Sequence, residues 1–324
     1  MNSFIKKETT EGPEPLLAVL VPCYNEEEII TRTICSLKEV LNNFKITDEI
    51  DECSFVLFVD DGSTDNTFSR IKEHVGSDIK VLKLFSNVGH QKALTAGMHF
   101  LNNKVDCLIS IDADLQDDLS VIKNMLSHYK EGAHVVYGIR SCRESDSFFK
   151  RTSARMFYSF METLGTKVLK DHADFRLLSG VALSEFAKYK EANLFLRGII
   201  PMMGLTYEKV YYRRLRRKSG RTKYSLTKML SLTVNGLTSF SNRPIRFIST
   251  IGVTMFLTSI ILAFWIFYVV IKGDNIPGWA STALVIDLLG GIQLLALGVI
   301  GEYISKIYLE IKARPAYHIE GFFE

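Results

Sequence analysis

The sequence predicts an α/β sheet domain followed by a two-helix membrane hairpin. Through the first three-quarters of the chain, short apolar runs that end in acidic or glycine-bearing turns alternate with segments of helical period. In the last quarter come two apolar runs long enough to cross a bilayer, with basic residues on their outer flanks.

Residues 16–22 (LLAVLVP) form an apolar run stopped by proline, the pattern of a strand buried on both faces. Asn25 is placed to cap a helix opening on Glu26, Glu27 and Glu28, acids suited to the positive end of a helix, and running to about Asn42. A second strand is expected at 54–59 (SFVLFV), ending in Asp60, Asp61 and Gly62, with a helix after Thr64. A third at 80–85 leads through Asn87, Val88 and Gly89 to a helix over 93–101, and a fourth at 107–111 (CLISI) runs into Asp112. Residues 135–138 read as a further strand and 148–164 as a helix with an aromatic face. Short links between alternating strands and helices imply right-handed crossovers. They also put the polar residues after the strands at the sheet's C-terminal edge, where open α/β sheets bind ligands.

Of the 324 residues, 47% are hydrophobic, and the formal charge is only +3. The positive charge is concentrated at Arg213, Arg214, Arg216, Arg217, Lys218, Arg221 and Lys223, a cluster suited to lipid headgroups or phosphates. Residues 225–242 then read as an amphipathic helix lying in the membrane interface. The apolar runs at 245–271 and 279–304 are joined by the short link 272–278, so their outer ends share one side. Arg243 and Arg246 precede the pair and Lys306, Lys312 and Arg314 follow it, whereas in the link Lys272 is offset by Asp274. By the positive-inside rule both termini and the sheet domain face the cytoplasm. Asp287 and Glu302, costly in lipid, are expected to hold the hairpin in a homo-oligomer. The five cysteines are scattered, with neither metal spacing nor a disulfide framework, and read as reduced thiols. Residues 1–15 lack the apolar core of a signal peptide and read as a flexible tail.

Asp112 and Asp114, one residue apart after a strand, suit a hydrated divalent cation that bridges a diphosphate. Alone, the pair reads equally as an acidic turn, and Asp60 with Asp61 as an ordinary turn and cap. Their order along the chain says more. VPCYNEEE, FVDDGSTDNT, SNVGHQKALTAG and DADLQDD resemble glycosyltransferase family two, with its GT-A nucleotide-sugar fold. The resemblance continues through YGIRSCRESDSFFKR, DFRLLS, FLRGIIPMMG and RKSGRTKYS to the hairpin and GEYISKIYLEIKARPAY. It covers nearly all the chain after residue 16 and is similar to the polyprenol-phosphate branch, that of bactoprenol glucosyltransferases and dolichol-phosphate mannose synthases.

The resemblance implies a domain plan: tail 1–15, GT-A catalytic domain 16–224, amphipathic segment 225–244, transmembrane hairpin 245–304 and cytoplasmic segment 305–324. It implies that Pro22, Tyr24, Asn25 and Glu26 line the nucleotide pocket with Asp60 and Asp61. Asp112 and Asp114, helped by Gln116, would hold Mg²⁺ or Mn²⁺ and the diphosphate. Arg140, Arg143, Arg197, Arg217 and Lys223 would approach phosphates, and Asp174 would sit near the sugar or the acceptor phosphate, positioning first and accepting a proton second. Where the family often has arginine this chain has Ser86, so no phosphate contact is expected there. Arg176 reads equally as a structural partner of Asp174, and His90 and His172 as loop or core histidines.

The implied reaction is inverting transfer of a hexose, glucose from UDP-glucose first, to undecaprenyl or another polyprenyl phosphate at the cytoplasmic (inner) membrane. The partners are a nucleotide sugar, the lipid and the membrane, with a flippase possible and no nucleic acid. Three other readings stand beside it. A processive polysaccharide synthase would need a Q-x-x-R-W motif, but Trp265 and Trp279 both lie in the hairpin region. An inactive flippase scaffold would not need intact acidic motifs. Transfer to diacylglycerol or another lipid is separated only by extracting the product.

Overall fold

The computed structural model describes residues 14–140, 172–191, 196–212 and 278–324, with part of 250–272. The expected helix at 148–164 and the amphipathic segment at 225–242 lie outside the described residues. In chain order the elements are β1 (Leu17–Cys23), α1 (Glu27–Ile46), β2 (Phe55–Asp60), α2 (Thr67–Lys72), β3 (Ile79–Leu84), α3 (His90–Leu101), β4 (Cys107–Ser110) and α4 (Val121–Lys130). Then follow β5 (Val135–Arg140), β6 (His172–Ser179), α5 (Gly180–Phe186), α6 (Leu196–Met202), β7 (Tyr207–Tyr212), α7 (Trp279–Lys312) and β8 (Ile319–Phe323).

The strands make one mixed sheet of eight in the order β7-β5-β6-β4-β1-β2-β3-β8. β1 to β4 are parallel, joined by the expected crossovers. β6 is antiparallel to both β4 and β5, β5 is parallel to β7, and β8 closes the far edge antiparallel to β3. β1, β2 and β4 are buried from end to end because both their faces are covered, whereas β3 keeps Lys80 and Lys83 partly exposed. On one face, Val19, Val21, Val56 and Phe58 pack with Ile30, Ile34, Leu37 and Leu41 of α1 and Met125 of α4. Each such aliphatic side chain contributes about 1.5–3 kcal/mol when fully buried. On the other, α3 lies against β1 and β2, close enough that a Cβ on Gly97 would stand 2.2 Å from a Leu20 methyl.

Three strands, β6, β7 and β8, were not expected from the sequence. β6 carries Asp174 and Arg176 on the face opposite Phe175 and Leu177, so its apolar run is broken at alternate positions. β8 joins the sheet from the far end of the chain. It is fastened by Lys80 to Glu324 at 3.1 Å and Lys83 to Glu320 at 2.8 Å, and by Phe322 and Phe323 against Phe100 and Phe68.

The chain divides into two compact units: the sheet unit, to which Pro315–Glu324 returns, and a helical unit containing the described residues between 250 and 314. In the helical unit the described residues from 250 to 271 are helical, and α7 runs 34 residues, past the expected end at 304. Many large apolar side chains of this unit face outward, among them Phe264 (72% exposed), Ile286 (62%) and Leu297 (63%). Among the described residues, no helix is long and apolar enough to cross a membrane.

Candidate active site

The loops that leave β1 and β2 are stitched together. The Ser63 hydroxyl accepts from Asn25 N–H, and the Asn25 side-chain oxygen accepts from Thr64 N–H at 2.9 Å. Asn25 is therefore no helix cap: it takes a left-handed turn (φ 52°) and α1 starts at Glu27. The unpaired N–H groups of the first turn are satisfied across the gap, Glu26 by Thr67 Oγ1 and Glu27 by Asp65 Oδ2. Pro22 is buried within β1, and Tyr24 is exposed at its end.

Asp60 and Asp61 both stand at the end of β2, but with different duties. Asp60 is fully buried; Oδ1 accepts from Ser63 N–H while Oδ2 has no hydrogen-bond partner among the described residues, and burial raises its pKa. Asp61 spends both oxygens on the backbone, accepting from Val88 N–H at 2.8 Å and Gly89 N–H at 2.9 Å. It thereby shapes the loop that delivers His90 to the first position of α3. Gly62 permits the same approach, since a Cβ there would lie 2.6 Å from the Ser86 carbonyl carbon.

Asp112 and Asp114 occupy a turn just beyond β4, pinned from behind by Thr33, whose hydroxyl donates to Ala113 O at 2.7 Å. Asp114 accepts from the Gln116 side-chain amide at 2.8 Å, which fixes the orientation of its carboxylate. Burial, with Asp174, Asp117 and Asp114 nearby, raises the pKa of Asp112, and His90 opposes the rise. Asp117 is also buried and binds Tyr212 OH and Arg140 Nη2, tying this turn to the ends of β5 and β7. Arg140 is thus held by a carboxylate and a phenol, with Nε donating to Tyr212 OH at 3.3 Å.

Asp174 comes to the same place on β6, where Ser110 donates its hydroxyl to the Asp174 carbonyl across the β4–β6 pairing. Its carboxylate accepts from buried Arg176 and from Arg197 of α6 at 2.9 Å, and faces His90 Nε2 at 3.5 Å. Burial alone would raise its pKa, but these three partners hold it well below the carboxylate range. An acid so stabilised is a poor proton acceptor near neutral pH. His90 reaches Asp112 Oδ1 at 3.6 Å as well, and is a site residue rather than a bystander in a loop. Its pKa is lowered by burial but raised further by Asp174 and Asp112.

The structure therefore gathers Asn25, Asp60 and Asp61 around the β1 and β2 ends, and Asp112, Asp174 and Arg197 around His90. Arg143, Arg217 and Lys223 lie outside the described residues. Among the described residues, no group of three or more His, Cys, Asp or Glu side chains could hold a metal by itself. A cation that keeps water and takes one or two carboxylates together with substrate phosphates needs no such cage. The Asp112 and Asp114 carboxylates, crowded by Asp117 and Asp174, fit that use.

An α/β sheet with paired acids at its C-terminal edge is the arrangement expected of a GT-A-like domain, and the sequence comparison supplies the class. The profile described as Glycosyl transferase family 2 matches residues 18–188, and the chain belongs to that family. Among its relatives, the uncharacterized glycosyltransferase YkoT of Bacillus subtilis is 49% identical over 95% of this chain and 92% of its own. The bactoprenol glucosyl transferase of Shigella phage SfX is 35% identical over 94% of this chain and 99% of its own. Among solved structures, the mannosyltransferase PcManGT of Pyrobaculum calidifontis, in complex with GDP-Man and Mn²⁺, is 17% identical over 95% of this chain and 89% of its own, at a TM-score of 0.47.

Proposed function

We propose that this glycosyltransferase moves a hexose, glucose from UDP-glucose first, onto the phosphate of a polyprenol at the cytoplasmic face of the inner membrane. The observation that carries the reading is Asp174, held anionic by Arg176, Arg197 and His90 beside the acids after β4. A lipid phosphate is ionised near neutral pH and needs no base to become a nucleophile. A site built for it needs cations and positioning rather than a proton acceptor. Arg197 lies close to where two anions must meet, and Asp174 sets its direction. Asp112 and Asp114 would hold Mg²⁺ or Mn²⁺, which when bound supplies positive charge to the leaving nucleoside diphosphate. The glucosyl assignment is supported by the names of relatives described as bactoprenol glucosyl transferases, 34–35% identical over 94% of this chain.

Membrane attachment is part of the proposal. Its support is the outward-facing apolar surface of the helical unit and the basic residues that flank it. Because the chain before and after that unit belongs to the sheet unit, a membrane crossing between them must be made an even number of times. A hairpin meets that condition. The test is a donor screen on the purified protein, offering UDP-glucose, UDP-galactose and GDP-mannose with undecaprenyl phosphate and resolving lipid products by thin-layer chromatography. Glucosylation of the lipid supports the reading; a protein that uses none of the donors with this acceptor overturns it.

A further inference from the structure

We infer that His90 is a positioning residue that sets the carboxylate of Asp112, on the donor side, against that of Asp174, on the acceptor side. The inference rests on the transfer proposed above. His90 Nε2 stands 3.6 Å from Asp112 Oδ1 and 3.5 Å from Asp174 Oδ2, so two acids from different strands share one nitrogen. Left alone, those acids repel, and each has a different duty. Asp174 is retained on the other side by Arg176 and Arg197. Among the described residues no such arginine pair holds Asp112, and the His90 ring nitrogen is the side-chain group within 4 Å that faces both it and Asp174.

The position of the ring is itself built. Asp61 fixes the backbone N–H groups of Val88 and Gly89, and Gly89 turns the chain with φ 93° directly before His90. Gly62 lets the backbone at Ser86 and Asn87 come within what would be 2.8 Å of a side chain. Asp61, after β2, thus acts on the reacting region through a loop and one histidine. The ring is 43% exposed and lies outside the hydrophobic core, so its removal is expected to leave the core packed. A small displacement of reacting groups costs up to about a hundredfold in rate.

The test compares the parent with His90→Ala and His90→Gln, glutamine being a neutral N–H donor of similar reach. Three quantities are read for each protein. These are the rate of transfer from UDP-glucose to undecaprenyl phosphate, the slower hydrolysis of UDP-glucose without acceptor, and the affinity for UDP with Mn²⁺ by calorimetry. The expected result is a loss of roughly tenfold to a hundredfold in kcat for His90→Ala. UDP affinity stays within about threefold, and His90→Gln recovers most of the rate. Parental turnover by His90→Ala overturns the inference. So does a rate loss matched by an equal loss of UDP affinity in both variants, which marks a merely structural role. A parent that hydrolyses UDP-glucose but glucosylates no lipid refutes the acceptor reading instead, and the hydrolysis rates of the variants then decide the role of His90.

Discussion

Replacing Asp174 by asparagine removes the charge that compensates Arg176, a guanidinium with no exposed surface, while leaving an oxygen able to accept one hydrogen bond. Arg197 is less affected because its side chain is 36% exposed and water can reach it. Stripping one partner from a buried pair costs about 3–5 kcal/mol. For a chain of this size that is a fall of roughly 6–20 °C in melting temperature, taking ~2–4 °C per kcal/mol. The assay is thermal unfolding in detergent for Asp174→Asn, Arg176→Met and the double variant. Because the residues touch, the double variant should lose less than the two single losses together, by at least about 1 kcal/mol. The native pKa of Asp174 is depressed, so its contribution is complete above the unfolded value of about 3.9 and fades as the pH falls through the lower native value. The gap between parent and Asp174→Asn should hold from pH 8 to 5 and close only in stronger acid. Additive losses, or a gap that closes between pH 8 and 6, would refute the buried-pair reasoning.

Asp114→Asn, or treatment of the parent with EDTA, is expected to abolish transfer while leaving the melting temperature near the parent's; full turnover in EDTA would remove the metal from the account. Gly62→Ala should cost more than the ~1–2 kcal/mol that left-handed backbone alone imposes on a side chain, because the new methyl meets the Ser86 backbone. Unfolding in urea measures this, and a neutral substitution would mean that the loop before His90 yields freely. A cysteine at Asn275, in the link between the apolar runs, should react with an impermeant maleimide from outside intact cells while Cys142 does not. The opposite labelling would reverse the topology.

β1, β2 and β4 were legible because each is a nearly unbroken apolar run, which is what burial on both faces requires, and β3 because its apolar run is interrupted only by Lys80 and Lys83. β6 was not, since Asp174 and Arg176 break its apolar pattern, and only the pairing with β4 and β5 makes room for a buried ion pair there. β8 carries no local sign of its partner, β3, which precedes it by most of the chain. At the site, Asp60, Asp61, Asp112 and Asp114 could be found from their place after strands, and Asp174 only through the family resemblance, but not how each is spent. Nothing local in the sequence says that both oxygens of Asp61 hold the backbone of a loop. Asn25 looks like a cap and instead binds Thr64. His90 had no signal beyond following a glycine; its role appears only when β4 and β6 bring Asp112 and Asp174 to either side of it.

The central claim is that the acceptor is a lipid phosphate. It is tested by incubating the purified protein with UDP-glucose labelled in the sugar, Mn²⁺ and undecaprenyl phosphate, then extracting with butanol and treating the extract with mild acid. The account predicts label in the butanol phase only when undecaprenyl phosphate is present, released as free glucose by mild acid and absent with Asp114→Asn. Label that stays in the aqueous phase, or that enters diacylglycerol in place of the polyprenyl phosphate, would contradict it.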